Sequence, residues 1–275
     1  DNGRKNISEE QTLIINHADV RRMLFLQKAI VEGSLSLLME AAYYQDKSKQ
    51  GPEEERKDNH LLMELLMPIA KTYPSERGKV AIDNGLQVLG GYGFCMDFVM
   101  QQYYRDVRIM SIYEGTTGIQ SIDLLGRKIP MENGKALLLL MEQIQKVITE
   151  AGTFDDLTPY ATQLTKSLGM VQKALTKLTP IAMEGDHERY LSDATIFMDM
   201  ASNVVVAYQW LKMASIAKQA LVTGQGLFDP QFYESKVHTM KFYFKYELPR
   251  VSSCLETLLM DDSLTIVNEQ SELLV

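Results

Sequence analysis

A tyrosine, a glutamate, a glycine and a threonine stand in a row at Tyr113-Glu114-Gly115-Thr116, followed by Thr117 and Gly118. Gly115 removes bulk beside Glu114, so the carboxylate can reach a ligand carbon, as a base for C–H abstraction must. A threonine here is placed to cap a helix beginning near Gly118, leaving orphan amides open to a phosphate or hydroxyl. A free glutamate, with a pKa of about 4.3, is a feeble carbon base. Such chemistry would require water to be stripped from the carboxylate, while the helix terminus pushes its pKa the other way. Taken alone, these residues favour a plainer reading, a surface glutamate attracted by a helix N-terminus.

Gly90-Gly91-Tyr92-Gly93 is the other candidate loop. Its glycines would let backbone N–H groups approach an anion. It follows no strand, so it is a poor dinucleotide fingerprint, and a helix C-cap explains it as well. His17, His60, His187 and His238 share no metal-ligand spacing, and no metal site is expected. Cys95 and Cys254 form no CxxC pair and read as thiols in a reducing compartment. The 16 methionines and the single Trp210 are scattered on helical faces and read as core packing. The acidic pairs Glu9-Glu10, Asp155-Asp156 and Asp261-Asp262 read as solvated faces or caps.

The elements that must position these residues are helical throughout. Leu13, His17, Val20, Leu24, Val31, Leu35, Leu38 and Ala42 step along one face, and Met23, Leu26, Ile30, Leu37 and Ala41 along a second. That double pattern predicts a long helix sandwiched between neighbours. Gly51-Pro52 opens the next helix, Leu61 to Lys71, which Tyr73-Pro74-Ser75-Glu76 is expected to break before a run from Lys79 to Leu89. Asp97 is a candidate cap for a helix through about Tyr104. Past Arg127-Lys128-Ile129-Pro130 the polar Glu132-Asn133-Gly134 reads as a linker. Further helices are expected over 136–150, 159–183, 188–222 and 230–259, with Phe197, Val204, Tyr208 and Leu211 buried. The tail from Asp261 reads as loosely held, and Asp1-Asn2-Gly3-Arg4-Lys5 as part of a polar loop rather than a signal peptide. The expectation is an all-α protein of two units, residues 1–130, four-helix-bundle-like, and 131–275, a second helical bundle.

At 275 residues, 45% hydrophobic and 23% charged, the composition is that of an ordinary globular protein. The net charge of −8 argues against a nucleic-acid surface. Apolar runs such as Ala136 to Met141 fall far short of the roughly 20 residues that span a bilayer.

Three motifs now combine: Gly85 to Phe94, then Tyr103-Tyr104-Arg105-Asp106-Val107-Arg108-Ile109, then Tyr113 to Gln120. In that order and with those gaps they resemble the C-terminal domain of the acyl-CoA dehydrogenases, over about Ile14 to Lys128. The resemblance implies an FAD-dependent enzyme that desaturates acyl-CoA thioesters, with Glu114 as the base for the α-proton. It implies that the Glu114 N–H donates to the thioester carbonyl, with Tyr113 and Gly115 beside the substrate. By the same token Gln87 and Gly91 contact the FAD of a neighbouring subunit, Thr116 contacts the flavin, and Ile14 and His17 line the cofactor site.

Partners implied are an electron-transfer flavoprotein or similar acceptor and further copies of the chain as a homo-oligomer. The implied compartment is the cytoplasm in a bacterium or the mitochondrial matrix in a eukaryote. Gly118 departs from the polar side chain many relatives carry near the cofactor, and residues 1–13 lack Arg–x–x–Phe-like cofactor contacts. The family's N-terminal helical and central β domains have no counterpart here. The part after Pro130 resembles the helical extension of a branch that includes 3-methylmercaptopropionyl-CoA dehydrogenases. Two rival readings are a helical assembly module, catalytically silent in isolation, and part of an acyl-CoA oxidase.

Overall fold

The computed structural model describes residues 12–261 and 264–266, and every regular element within them is a helix. Helices α1 (Ala18–Lys47) and α2 (Glu53–Leu89) form an antiparallel hairpin. The start of α1 therefore lies beside the end of α2, and the Gln27 side chain comes 3.3 Å from a Cβ built on Gly85. Only one of the two apolar faces of α1 is covered. Met23, Leu26, Ile30, Leu37 and Ala41 are buried, whereas Val31, Leu35 and Leu38 remain 57%, 53% and 41% exposed. Helix α1 does lie between neighbours, with α2 against it from one direction and α8 and α9 from another, but none of the described helices covers the face of Val31, Leu35 and Leu38.

Helix α2 runs unbroken through Pro68 and Pro74, against the expected break at Tyr73–Glu76. An interior proline costs about 3 kcal/mol. Burial of Leu65, Leu66, Ile69 and Tyr73 outweighs it, at about 1.5–3 kcal/mol for each large side chain. The Ser75 hydroxyl also bonds back to the Lys71 and Thr72 carbonyls at 2.9 and 3.0 Å, inside the turn that Pro74 disturbs. Gly90, at φ 60°, ends α2 as its type predicts. Asp97 does not cap: α3 (Met100–Ile109) starts after Val99 with no side-chain cap.

After α4 (Thr117–Asp123) the chain widens into a π turn over Leu124–Lys128, closed by the Ile129 N–H on the Leu124 carbonyl at 2.9 Å. The Tyr190 hydroxyl donates to the Leu125 carbonyl in that turn at 2.8 Å. Left-handed φ angles at Glu132, Asn133 and Gly134 then turn the chain into α5 (Lys135–Ala151), followed by α6 (Thr158–Met183). The expected helix over 188–222 is two, α7 (His187–Leu191) and α8 (Ala194–Thr223), parted at Ser192-Asp193. The last expected helix also divides, into α9 (Pro230–Tyr246) and α10 (Arg250–Leu259), because Pro249 has no N–H to continue the ladder.

Helix α8 is apolar around most of its girth and sits at the centre. Phe197, Val204, Tyr208, Trp210 and Leu211 are all at most 2% exposed. One continuous cluster of buried side chains joins α1, α2, α5, α6, α8, α9 and α10 across Pro130. Polar crossings stitch the helices together. Trp210 Nε1 donates to the Ala29 carbonyl at 3.0 Å. Glu40 of α1 accepts from the Tyr208 hydroxyl at 2.7 Å, from Lys212 at 2.8 Å and from the Gln209 amide. Arg77 of α2 and Glu247, just past α9, form a buried ion pair.

Candidate active site

The Tyr113–Thr116 turn is held from below by the middle of α2. Lys71 donates to the Gly115 carbonyl, and its ammonium stands 6.0 Å from the centroid of the Tyr113 ring. Five residues on, Glu76 accepts from the Thr117 hydroxyl and from Lys79, the latter at 2.5 Å. Burial by itself would raise the Glu76 pKa. The hydrogen bonds from Lys79 and Thr117, with the charges of Lys79 and Arg108, outweigh it and hold the carboxyl below its ordinary value. Ser111 is buried and ties the loop to α3: its hydroxyl accepts from Arg108 at 2.7 Å, and its carbonyl accepts the Thr117 N–H at 3.2 Å.

Above this base the backbone is strained. Glu114 has φ 50°, a left-handed conformation uncommon outside glycine. Gly115 follows at φ 93°, and a Cβ there would lie 2.7 Å from the Gln120 side-chain nitrogen. The left-handed φ favours glycine at 115, whereas the end of the Gln120 side chain would only have to shift to admit a Cβ. The Gln120 amide donates to the Glu114 carbonyl at 3.3 Å. Thr116 caps α4 as its type predicts, its hydroxyl accepting the Ile119 N–H at 3.3 Å. The Glu114 N–H has no hydrogen-bond partner among the described residues, and the side chains of Tyr113, Glu114 and Thr116 are exposed.

The remaining predicted site residues form a second group. Gln87 lies on the last turn of α2, Gly91 in the 3-10 turn Gly90–Phe94, Ile14 in a short turn before α1, and His17 at the position just before α1, with no side-chain bond to its first turn. The antiparallel hairpin brings these four to one end of the bundle. Sixteen residues of α2 separate Lys71 from Gln87, about 24 Å of helix. The two groups are thus distinct, and all four members of the second are exposed. Sequence reasoning missed Lys71, Glu76, Lys79, Ser111 and Gln120. Only Gln120, inside the Tyr113–Gln120 motif, carried a signal that could have singled it out.

Two family models match the chain. One, described as "Acyl-CoA dehydrogenase, C-terminal domain", covers residues 5–129, and the other, "Acetyl-CoA dehydrogenase C-terminal like", covers residues 140–266. The chain is 30% identical to a 3-methylmercaptopropionyl-CoA dehydrogenase of Ruegeria pomeroyi, over 90% of this chain and 41% of the relative. It is 32% identical to a butyryl-CoA dehydrogenase of Syntrophomonas wolfei, over 92% of this chain and 42% of the relative. The chain thus spans about two fifths of the length of these curated relatives. A crystal structure of an acyl-CoA dehydrogenase from Bacillus anthracis, complexed with FAD, matches at a TM-score of 0.64 and 17% identity. That likeness covers 96% of this chain and 46% of the other, and it shows the fold. With both halves matched in order and the Tyr113–Thr116 turn built on the shared helical frame, the chain belongs to the acyl-CoA dehydrogenase family, matching its C-terminal helical region.

Proposed function

We propose that this chain supplies the base, Glu114, to an FAD-dependent acyl-CoA dehydrogenase that desaturates an acyl thioester between its α and β carbons. The backbone at Glu114 is the observation that carries this reading. A left-handed glutamate costs on the order of 1–3 kcal/mol and persists only where its surroundings over-determine it. Here Lys71 and Gln120 clamp the two carbonyls of the Glu114–Gly115 pair, on a turn with no structural need for a glutamate.

In the proposed reaction the Glu114 carboxylate takes the α-proton. Its own N–H, unpaired among the described residues, donates to the thioester carbonyl and makes that proton more acidic. The acyl chain, lying between Tyr113 and Gly115, displaces water from the carboxylate and strengthens the base. FAD, when bound, supplies the acceptor for the hydride that leaves the β carbon. The residues present leave room for it: a Cβ built on Gly91 meets nothing within 4 Å, and Gln87, Thr116, Ile14 and His17 are solvent-facing. Gln87 and Gly91 would serve the FAD of a neighbouring subunit, and Thr116, Ile14 and His17 would line the cofactor site.

The reading extends to partners. An electron-transfer flavoprotein or similar acceptor would reoxidise the flavin, and the enzyme would be a homo-oligomer of the cytoplasm or the mitochondrial matrix. No helix among the described residues is long and apolar enough to cross a membrane. Residues 1–130 would form the catalytic unit and 131–275 a scaffold beneath it. A second reading, that the chain alone is catalytically silent, is favoured by the exposure of every assigned side chain: one wall of a site excludes no water.

The test is Glu114→Gln in the complete flavoenzyme. Turnover should fall by at least about 10²–10⁴, with FAD and acyl-CoA still bound. Flavin bleaching by substrate at near wild-type speed would overturn the assignment. Reoxidation of the reduced flavin in air, faster than by a one-electron acceptor, would mark an oxidase instead.

A further inference from the structure

Away from Glu114, helices α1, α6 and α9 border an open cleft of about 480 Å³. Arg21 and Arg22 enter it from the first turns of α1, and Lys241 and Lys245 from α9. No aspartate or glutamate lines it, in a chain whose net charge is −8. Asp19 neutralises Arg22 across 2.8 Å. Arg21, Lys241 and Lys245 have no carboxylate within ion-pair distance among the described residues. Arg21 is already oriented, its guanidinium donating to the Asn16 and Ile15 carbonyls at 2.9 and 3.3 Å. Those contacts leave most of its five-donor fork uncommitted.

The cleft is also aromatic. Phe25 packs 4.7 Å from His238 and 5.7 Å from Phe242, and Phe242 packs 4.5 Å from Tyr246. Tyr246 itself is 45% exposed, with Phe242 packed against its ring and the Lys245 ammonium 5.1 Å from the ring centroid, so an incoming base would share the ring with Lys245. Cations gathered without counterions repel one another and concentrate field in a concave, low-dielectric wall, which favours an incoming anion. A simple phosphate would use the cations but leave the ring idle. The volume lies in the range of small-molecule sites, roughly 300–1,000 Å³.

We infer that this cleft binds a nucleotide, with its phosphates on Arg21, Lys241 and Lys245 and its base on Tyr246. A free nucleotide and the nucleotide end of a coenzyme share this chemistry. The site uses none of the residues assigned to the Glu114 reaction, so it stands or falls separately from that reading.

The test is calorimetric titration of the 275-residue chain with ADP, with coenzyme A and with inorganic phosphate. Saturable ADP binding is expected, weakened by added salt as exposed charge contacts are. Lys241→Glu with Lys245→Glu should weaken it at least about tenfold. Lys241→Gln with Lys245→Gln, which adds no repulsion, should weaken it in the same direction. Tyr246→Ala should lower ADP affinity about tenfold, as loss of a stacking ring does, and leave phosphate binding unchanged. Coenzyme A binding more tightly than ADP would assign the site to a coenzyme; equal affinities would assign it to free nucleotides. Absence of saturable ADP and coenzyme A binding, indifference to the paired lysine changes, or phosphate binding as tight as ADP would each overturn the proposal.

Discussion

Helix α8 and the Tyr113–Thr116 turn both rest on α2, yet they are stabilised by opposite means. α8 is enclosed on nearly all sides, with Trp210 and Phe197 fully buried, and its position follows from apolar area removed from water. The turn contributes almost no buried apolar surface. It is fixed instead by directed bonds: Lys71 and Gln120 donate to the carbonyls of the left-handed Glu114–Gly115 pair, and the Thr117 hydroxyl donates to Glu76. A dry core can tolerate small shifts as long as volume is kept. A turn held by a few polar contacts cannot lose one without moving the group it presents. Stability and proposed chemistry are therefore carried by different residues on the two sides of the same helix.

That separation can be broken from either side. Phe197→Ala removes a wholly buried ring from α8 and should lower stability by about 3–5 kcal/mol, read from denaturant unfolding. The fraction still folded should keep its rate per active site; a fall in that rate would show that core and turn are not independent. Lys71→Met keeps most of the side-chain volume and removes the ammonium on the Gly115 carbonyl. In the complete enzyme it should cost about 10- to 100-fold in kcat, a charge-assisted bond being worth about 1.5–3 kcal/mol, with the unfolding midpoint little changed. Lys71→Arg should recover part of the loss. A drop in stability without a drop in kcat would make Lys71 a fold residue only.

The smallest effect concerns the two thiols. Cys95 is exposed beside the Gly90–Phe94 turn, and Cys254 is buried in α10. Burial, followed by the Asp199 carboxylate, pushes the Cys254 thiol up to about 11. A thiol raised above its unfolded value of about 8.5 stays neutral in the fold, so it costs nothing below that value and erodes stability as pH climbs toward 11. Iodoacetamide at pH 8 should therefore label Cys95 alone in the native chain. Equal labelling would mean that the α8–α10 side opens as readily as the site end.

Local features of this architecture were legible in the sequence, and distant ones were not. Gly90 as a helix stop, Thr116 as a cap and the burial of Phe197, Val204, Tyr208 and Leu211 follow from residue type and period. The Glu114 turn stood out because its unusual residues are adjacent. Its supports did not, because Lys71 meets Gly115 across 44 residues and Glu76 meets Thr117 across 41, and no spacing rule reaches that far. Pro74 misled for a related reason: local propensity argues for a break, and tertiary burial of Tyr73 and its neighbours overrules it. On α1 the sequence shows two apolar faces, but the period cannot say which of them is buried, and Val31, Leu35 and Leu38 are exposed.

Arg77 and Glu247 stand 170 positions apart in the chain and face each other with side chains only 9% and 6% exposed. Removing either partner alone strands the other charge out of water, at a cost of about 3–5 kcal/mol. Replacing both with well-packed apolar residues is far milder. For a lineage accumulating mutations, the two codons are therefore coupled. Drift at one is purged until the other changes with it, and the path between a charged and an apolar pair passes through a valley. Comparison of relatives should find this pair exchanged together or kept together, an inherited signature linking the helix beneath Glu114 to the far end of the chain.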